Sequence, residues 1–306
     1  MGDWVFKRHL DQEFIDALQE ARSDVQSWWS EVVKDRDLII GLRGNYLNVY
    51  YRGQSLFRVT VNSGRLAAST HPKYLVDPKL SKPVSFDGSN FAIGKLADTA
   101  LLAAWGPDAL SRLKKAAKLY SGPEKTGCHS AVVNNKRLLD VEIAFSRDPA
   151  TLAEEERRIP RIDFALLESE GDGYAVRFWE AKAYGNSELG SMSNQGGVRT
   201  VLGQIQDYES TIAKHADELA NSYAKVCQNL SAIYSGTDRY SSDNPIAKIA
   251  QNPDLLMRVL PQVNLFIFGF DGAQKKGAKK SFDEFESILG KDRLRIIGLP
   301  GGAFPT

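Results

Sequence analysis

Cysteine is nearly absent. Cys128 and Cys227 are the only two in 306 residues and lie far apart, which leaves neither a disulfide framework nor a zinc spacing and fits a reducing compartment. Both read as buried small residues. No apolar run approaches the ~20 residues of a membrane span, and the opening MGDWVFKRHLDQEF has no signal-peptide core. The expected location is therefore the cytoplasm, without a membrane partner. An excess of charge of either sign is missing too. With 39 Lys and Arg against 38 Asp and Glu the net charge is +1, so a nucleic-acid surface has to be a local patch and not a basic coat. His9, His71 and His215 show no metal-ligand spacing, and the adjacency of Cys128 and His129 does not by itself make a nucleophile and base. No phosphate-cradling GxxxxGK(S/T) loop occurs, so an intrinsic ATP motor is not expected. Internal repeats and low-complexity stretches are likewise missing.

What remains has the composition of an ordinary globular chain, long enough for one large domain or two smaller ones. Apolar residues at helical spacing predict a long amphipathic helix over residues 11–35. Residues 37–69, rich in Tyr, Val, Ile and Leu with turn signals at RGN, RGQ and NSG, predict a small antiparallel meander. Residues 70–105 look irregular, with a short helix near AIGKLADTALLAAW. From residue 106 the pattern turns α/β. A helix over 107–120 carries Arg112, Lys114, Lys115 and Lys118, a cluster that suits phosphate contact in an otherwise neutral chain. The strand RLLDVEIAF follows, then a hairpin over 161–184 and an apolar stripe from Val198 to Leu230. That stripe predicts a helix of roughly 50 Å at 1.5 Å per residue. The runs QVNLFIFGFD and LRIIGLP read as strands covered on both faces, with a helix, KKSFDEFESILGKD, between them. The lysine-rich QKKGAKK, residues 274–280, reads as a solvated loop or a phosphate contact. The division expected is a helix and meander unit over 1–105, for substrate selection, dimerisation or partner binding, and an α/β unit over 106–306.

The hairpin carries charges inside its strands. A turn centred between Gly171 and Asp172 puts Asp163 opposite Glu180 and Arg161 opposite Lys182. Period-2 alternation then places Asp163, Ala165 and Leu167 on the face of Val176, Phe178, Glu180 and Lys182. Two carboxylates so placed repel. A cation bound between them removes the conflict, provided the register does not slip by one residue.

Asp163 followed by Glu180-Ala181-Lys182, with Pro160 ahead in IPRID, resembles the PD-(D/E)XK nuclease superfamily over roughly residues 107–300. Two residues separate Pro160 from Asp163, a departure at the least demanding position of the motif. The resemblance implies a restriction-endonuclease-like core, a central mixed sheet flanked by helices. It implies Mg²⁺, with Mn²⁺ able to substitute, held by Asp163, Glu180 and the backbone carbonyl of Ala181. Lys182 then orients or helps deprotonate the attacking water, or neutralises charge in the transition state; its bland alternative is a salt bridge with Asp163 or Glu180. In LLDVEIAF the alternation sets Val141, Ile143 and Phe145 on one face and Asp140 and Glu142 on the other, making Glu142 the choice of supplementary ligand where many relatives use a Glu of the preceding helix. Gln204 and Tyr208 in QIQDY match the QxxxY element of the RecB-like branch, beside site and substrate, unless they are ordinary helix packing. Arg112 and Lys115 join them as expected substrate contacts. The activity implied is phosphodiester hydrolysis, of DNA rather than RNA, in a setting such as restriction or phage defence. The alternative is a core that grips nucleic acid or a protein partner without cutting.

Overall fold

The structure is a computed structural model that describes residues 4–75, 82–94, 100–147, 161–189 and 200–298. Pro160, and part of the short helix expected near residues 92–105, lie outside the described residues.

The chain opens with the two-residue strand β1 (Trp4–Val5), then α1 (Gln12–Ser23) and α2 (Trp28–Lys34). The single helix expected over 11–35 is thus two. Asp24 leaves the helical region, and the Ser27 side chain accepts the Ser30 N–H to cap a new helix. Ser, Asp and Asn signals of this kind interrupt a helix without interrupting its apolar period. The meander follows as β2 (Ile39–Leu42), β3 (Leu47–Tyr51), β4 (Gln54–Asn62) and β5 (Arg65–Thr70), extended by β6 (Val84–Phe86) in the stretch expected to be irregular. All five pair antiparallel in chain order. Trp28 of α2 anchors this sheet through ring contacts with Phe57, Phe86 and Trp105. Next comes α3 (Ala109–Lys118), whose buried Leu110, Leu113 and Ala117 pack it on β3 and β4. The expected division at residue 105 therefore runs between a helix and the sheet it covers.

A helix not foreseen, α4 (Pro123–Val132), leads into β7 (Leu138–Ile143) and the short β8 (Ser146–Arg147), which pairs with β1. The hairpin is β9 (Ile162–Glu170) and β10 (Gly173–Ala183), turning at Gly171 with φ +53°. The helix expected to run 50 Å is two, α5 (Val201–Lys214) and α6 (Ala216–Ile233), broken where His215 takes φ −119° and ψ 20°. Then come α7 (Pro245–Gln251), β11 (Leu256–Phe268), α8 (Gly272–Gly277), α9 (Lys279–Leu289) and β12 (Leu294–Ile297). The stretch QKKGAKK is not a loop: it spans most of α8, which the Asp271 capping box initiates, and the start of α9.

The second sheet has the order β12-β11-β10-β9-β7, with β9 antiparallel to both β7 and β10, and β10, β11 and β12 parallel to one another. The protein is thus mixed α and β, with one antiparallel and one mixed sheet of five strands. Ala165, Leu167, Val176, Phe178 and Leu265 belong to one buried cluster with α5 and α6, and Phe164, Leu166, Trp179 and Phe266 to another that includes Val132 of α4. Each large side chain buried there contributes ~1.5–3 kcal/mol. The LRIIGLP strand is an edge, with only Leu294 of its four residues buried. Among the described residues no helix is long and apolar enough to cross a membrane.

Candidate active site

The hairpin register is the expected one, with Phe178 opposite Ala165 and Trp179 opposite Phe164. Continuing it by one residue puts Asp163 opposite Glu180. On the other side of β9, Val141 pairs with Phe164 and Ile143 with Ile162, so Glu142 stands opposite Asp163. Three carboxylates from three adjacent strands thus form one row across the sheet, with Lys182 two residues beyond Glu180.

The backbone departs from regular strand at this row. The β9–β10 ladder ends at Trp179, and the Asp163 carboxylate accepts the Ala181 N–H at 2.7 Å, where a strand carbonyl would otherwise do so. Glu142 lies in a strand yet has φ +51°, a conformation that costs a non-glycine residue ~1–2 kcal/mol. This corrects the expected alternation: Val141 belongs to one buried cluster and Ile143 and Phe145 to the other, because the left-handed residue between them flips the pleat. Asp140 does not share the site of Glu142. It is 1% exposed and held by Arg8 Nε at 3.0 Å and Arg43 Nη1 at 2.7 Å. Arg43 Nη2 also donates to the Val141 carbonyl at 2.7 Å, so the first unit grips β7 immediately before Glu142.

Lys182 and Glu180 are buried, at 7% and 3% exposure, and their charged ends meet at 2.8 Å. Lys182 Nζ also reaches Glu188 Oε2 at 2.6 Å, and Gln204 Nε2 donates to Glu188 Oε1 at 2.8 Å. Tyr208, also buried, donates its hydroxyl to the Arg161 carbonyl at 3.1 Å. The two QxxxY residues therefore brace the site, one through Glu188 and Lys182, the other through the chain that enters β9. Burial, and after it the nearby Glu180, push the Asp163 carboxyl well above the usual carboxylate range. Burial lifts Glu180 to about 7 against the favourable pull of Lys182. For Lys182 burial opposes the ammonium, but Glu180 and Glu188 outweigh it and raise its pKa.

Two acids escaped the sequence reading. Glu124, in the first turn of α4, accepts the Ala183 N–H at 3.1 Å and the Asn186 side-chain amide at 2.6 Å, and its charge acts on Glu180. The signal was present: Gly122-Pro123-Glu124 is a helix start, with Pro at the first helical position and an acid in the first turn. Glu188 sits in a single helical turn after β10 and carries no local signal.

A small cleft of about 70 Å³ opens onto this cluster, lined by Ile39, Tyr50 and Gly53 of the antiparallel sheet and its turn, Glu124, Lys125 and Cys128 of α4, and Glu142 and Asp163. Cys128 is partly exposed, not buried as expected. Burial and then Asp163 push its thiol pKa far up, so no thiolate nucleophile forms there. His129 donates Nε2–H to the Asp37 carbonyl at 2.8 Å and does not pair with Cys128. Of the helix α3 cluster, Lys114 is engaged by Asp35 and Asp37 at 2.7 and 2.8 Å, which removes it from any phosphate-facing set. Arg112, Lys115 and Lys118 are exposed, and Arg112 bonds to the Leu101 carbonyl.

Among the described residues, no three His, Cys, Asp or Glu side chains are arranged to hold a metal ion. The carboxylates are turned to protein partners: Asp163 to an amide, Glu180 to Lys182, and Glu142 to Lys125 at 3.2 Å and Arg161 at 3.4 Å. The donor set nevertheless suits a hard divalent cation, being all oxygen, and buried Glu180 Oε2 has no hydrogen-bond partner among the described residues. No protein-family model, curated protein or solved structure matches the chain.

Proposed function

We propose that the chain is a Mg²⁺-dependent nuclease of the PD-(D/E)XK kind, built on a restriction-endonuclease-like core and acting on DNA more readily than RNA. The observation that carries this reading is the row of Glu142, Asp163 and Glu180 across three neighbouring strands with Lys182 buried beside it. Lys182 offsets Glu180, and Lys125 and Arg161 offset Glu142, but Asp163 between them meets only the neutral Ala181 amide, so an added cation would relieve the row further. The preference for DNA rests on the family resemblance alone.

Asp163, Glu180, Glu142 and the Ala181 carbonyl would hold the ion, with Glu124 as a further carboxylate of the cluster. Bound there, Mg²⁺ polarises the phosphate and lowers the pKa of a water. The protein's own part is positioning and charge. The Ala181 amide fixes Asp163, and the Asp140 clamp fixes the backbone ahead of Glu142. Lys182 stays an ammonium between two carboxylates, so its role is to neutralise developing negative charge and not to remove a proton. Gln204 holds it in place through Glu188.

The engagement of each carboxylate by a protein partner favours one second reading, a core that binds nucleic acid without cutting it. Incubation with linear, circular and single-stranded DNA and RNA, with Mg²⁺ or Mn²⁺, separates the two. Hydrolysis that disappears in EDTA and in Asp163→Ala, Glu180→Ala and Lys182→Ala supports the nuclease. Binding without hydrolysis of any polymer supports the second reading, and normal cleavage by both carboxylate variants refutes the site.

A further inference from the structure

The cleft does not end at the acids. Its wall from the first unit is the turn between β3 and β4, where Arg52 and Gly53 take φ +48° and +70°. A Cβ on Gly53 would stand 2.6 Å from the Lys125 Cβ. The turn thus lies directly on Lys125, whose ammonium rests 3.2 Å from Glu142 and whose side chain is 52% exposed. The next residue, Gln54, is a hub. Its Oε1 accepts from Lys73 Nζ at 2.9 Å and from the Tyr74 hydroxyl at 3.1 Å, and its Nε2 donates to the Tyr120 carbonyl at 3.0 Å. Lys73 Nζ lies 5.0 Å from the ring centroids of both Tyr74 and Tyr120. Tyr74 is buried, but Tyr120 is 40% exposed and its neighbour Leu119 82% exposed.

From Glu142 outward the consecutive residues Gly53 and Gln54 thus carry Lys125 and then Lys73, and beyond Lys73 lies the partly exposed Tyr120 ring, its other neighbour the Tyr74 ring at 6.2 Å, on the corner that leads into α4. Two lysines are held close enough for Lys125 to depress the pKa of Lys73, after the larger effect of burial. Cations brought together on an otherwise neutral chain call for an anion. An exposed aromatic and an exposed leucine at their end call for a flat apolar face.

We infer that this run is the docking track for single-stranded nucleic acid, with phosphates on Lys125 and Lys73 and an unpaired base stacked on Tyr120 against Leu119. A duplex cannot use it in the same way, because its base faces are covered by their neighbours, whereas every base of a single strand has a free π-face. Freeing Lys125 from Glu142 for a phosphate costs little at that exposure. The track rests on the nuclease reading only in naming the polymer, and its test needs no hydrolysis.

The test is fluorescence anisotropy of the whole protein in EDTA with a labelled oligothymidine strand and with a blunt duplex of equal length, each over a range of salt. The single strand binds more tightly than the duplex. Tyr120→Ala weakens the single strand ~5- to 150-fold, the loss of one stacked base, while Tyr120→Phe keeps the affinity. Lys73→Gln and Lys125→Gln each flatten the salt dependence by about 0.7 log unit per lost contact. Equal binding of duplex and strand, no binding of either, or an unchanged affinity in a folded Tyr120→Ala protein overturns the track. Should Tyr120→Ala melt below the wild type, the two lysine variants decide, and unchanged salt slopes there overturn it. Strand binding by a protein that cleaves no polymer would leave the track standing and end the nuclease reading; cleavage without strand binding would do the reverse.

Discussion

Asp163 and Glu180 hold opposed positions on one hairpin, and the Lys182 ammonium sits on Glu180 alone among the two, at 2.8 Å. The residual repulsion is on the order of 0.2–1 kcal/mol, by analogy with like-charged cross-strand pairs. Above the raised pKa of Asp163, Asp163→Asn removes a charge but keeps an oxygen for the Ala181 N–H. The expected outcome is a catalytically dead protein that melts no lower than the wild type in EDTA. Added Mg²⁺ or Mn²⁺ then raises the wild-type melting temperature more, because a ligand stabilises the state that binds it. Thermal melts of both proteins check this, and a lower-melting variant would show that the Asp163 charge holds the strands together. A second residue-scale effect belongs to His129, which is buried as the neutral donor to Asp37. Burial lowers its pKa from 6.5 to about 4. The unfolded chain therefore takes up a proton as pH falls through 6.5 while the fold resists until about 4, so stability is lost over that window and regained as pH rises. The loss is on the order of 3 kcal/mol, at 1.36 per pH unit. Urea unfolding at pH 7 and pH 5 should show about 2 kcal/mol of it, and His129→Gln should flatten that slope relative to the wild type.

At the scale of elements, α4 positions Glu124 and Lys125, and it does so by lying very close to the sheet. A Cβ on Gly127 would meet the Phe268 ring at 2.1 Å, a distance that no side-chain adjustment within a stacked Phe266 and Phe268 pair can relieve cheaply. Gly127→Ala should cost ~1–3 kcal/mol as overpacking and lower any metal-dependent activity by shifting the helix that carries Glu124. Calorimetry and a metal titration would show both; an unchanged melting temperature would mean that α4 is free to move. The same scale shows what periodicity can and cannot reveal. The hairpin and its register were legible because alternation and a Gly-Asp turn both fix them. The breaks at Asp24 and His215 were not, since the apolar spacing continues on either side of each. Nor was the flip at Glu142, because one left-handed residue in a strand leaves no trace in composition.

Across the whole molecule the N-terminal and C-terminal parts of the described chain are joined through charge as well as through a shared apolar cluster. Asp140 of β7 is buried between Arg8 and Arg43, both of the first unit and both almost fully buried. Removing the acid leaves two guanidinium groups without their counterion, so Asp140→Ala should destabilise the protein by about 3–5 kcal/mol. Equilibrium urea unfolding measures this, and a loss under about 1 kcal/mol would mean that water or backbone carbonyls suffice for the arginines. Because Arg43 also holds the Val141 carbonyl, a milder variant such as Arg43→Lys should disturb the Glu142 position before it disturbs the fold.

By itself the sequence determined the mixed α and β character, the hairpin, its register and the acids at Asp163 and Glu180, since all of these follow from neighbours along one chain. Only the tertiary structure decided that Glu142, already chosen from the strand pattern, sits on a left-handed residue, that Glu124 and Glu188 lie beside the row, that Lys182 lies buried between two carboxylates, and that Lys114 is taken by Asp35 and Asp37. Each of those facts depends on segments far apart in sequence being pressed together by a shared apolar core, and local spacing carries no information about which distant charge a fold brings to hand.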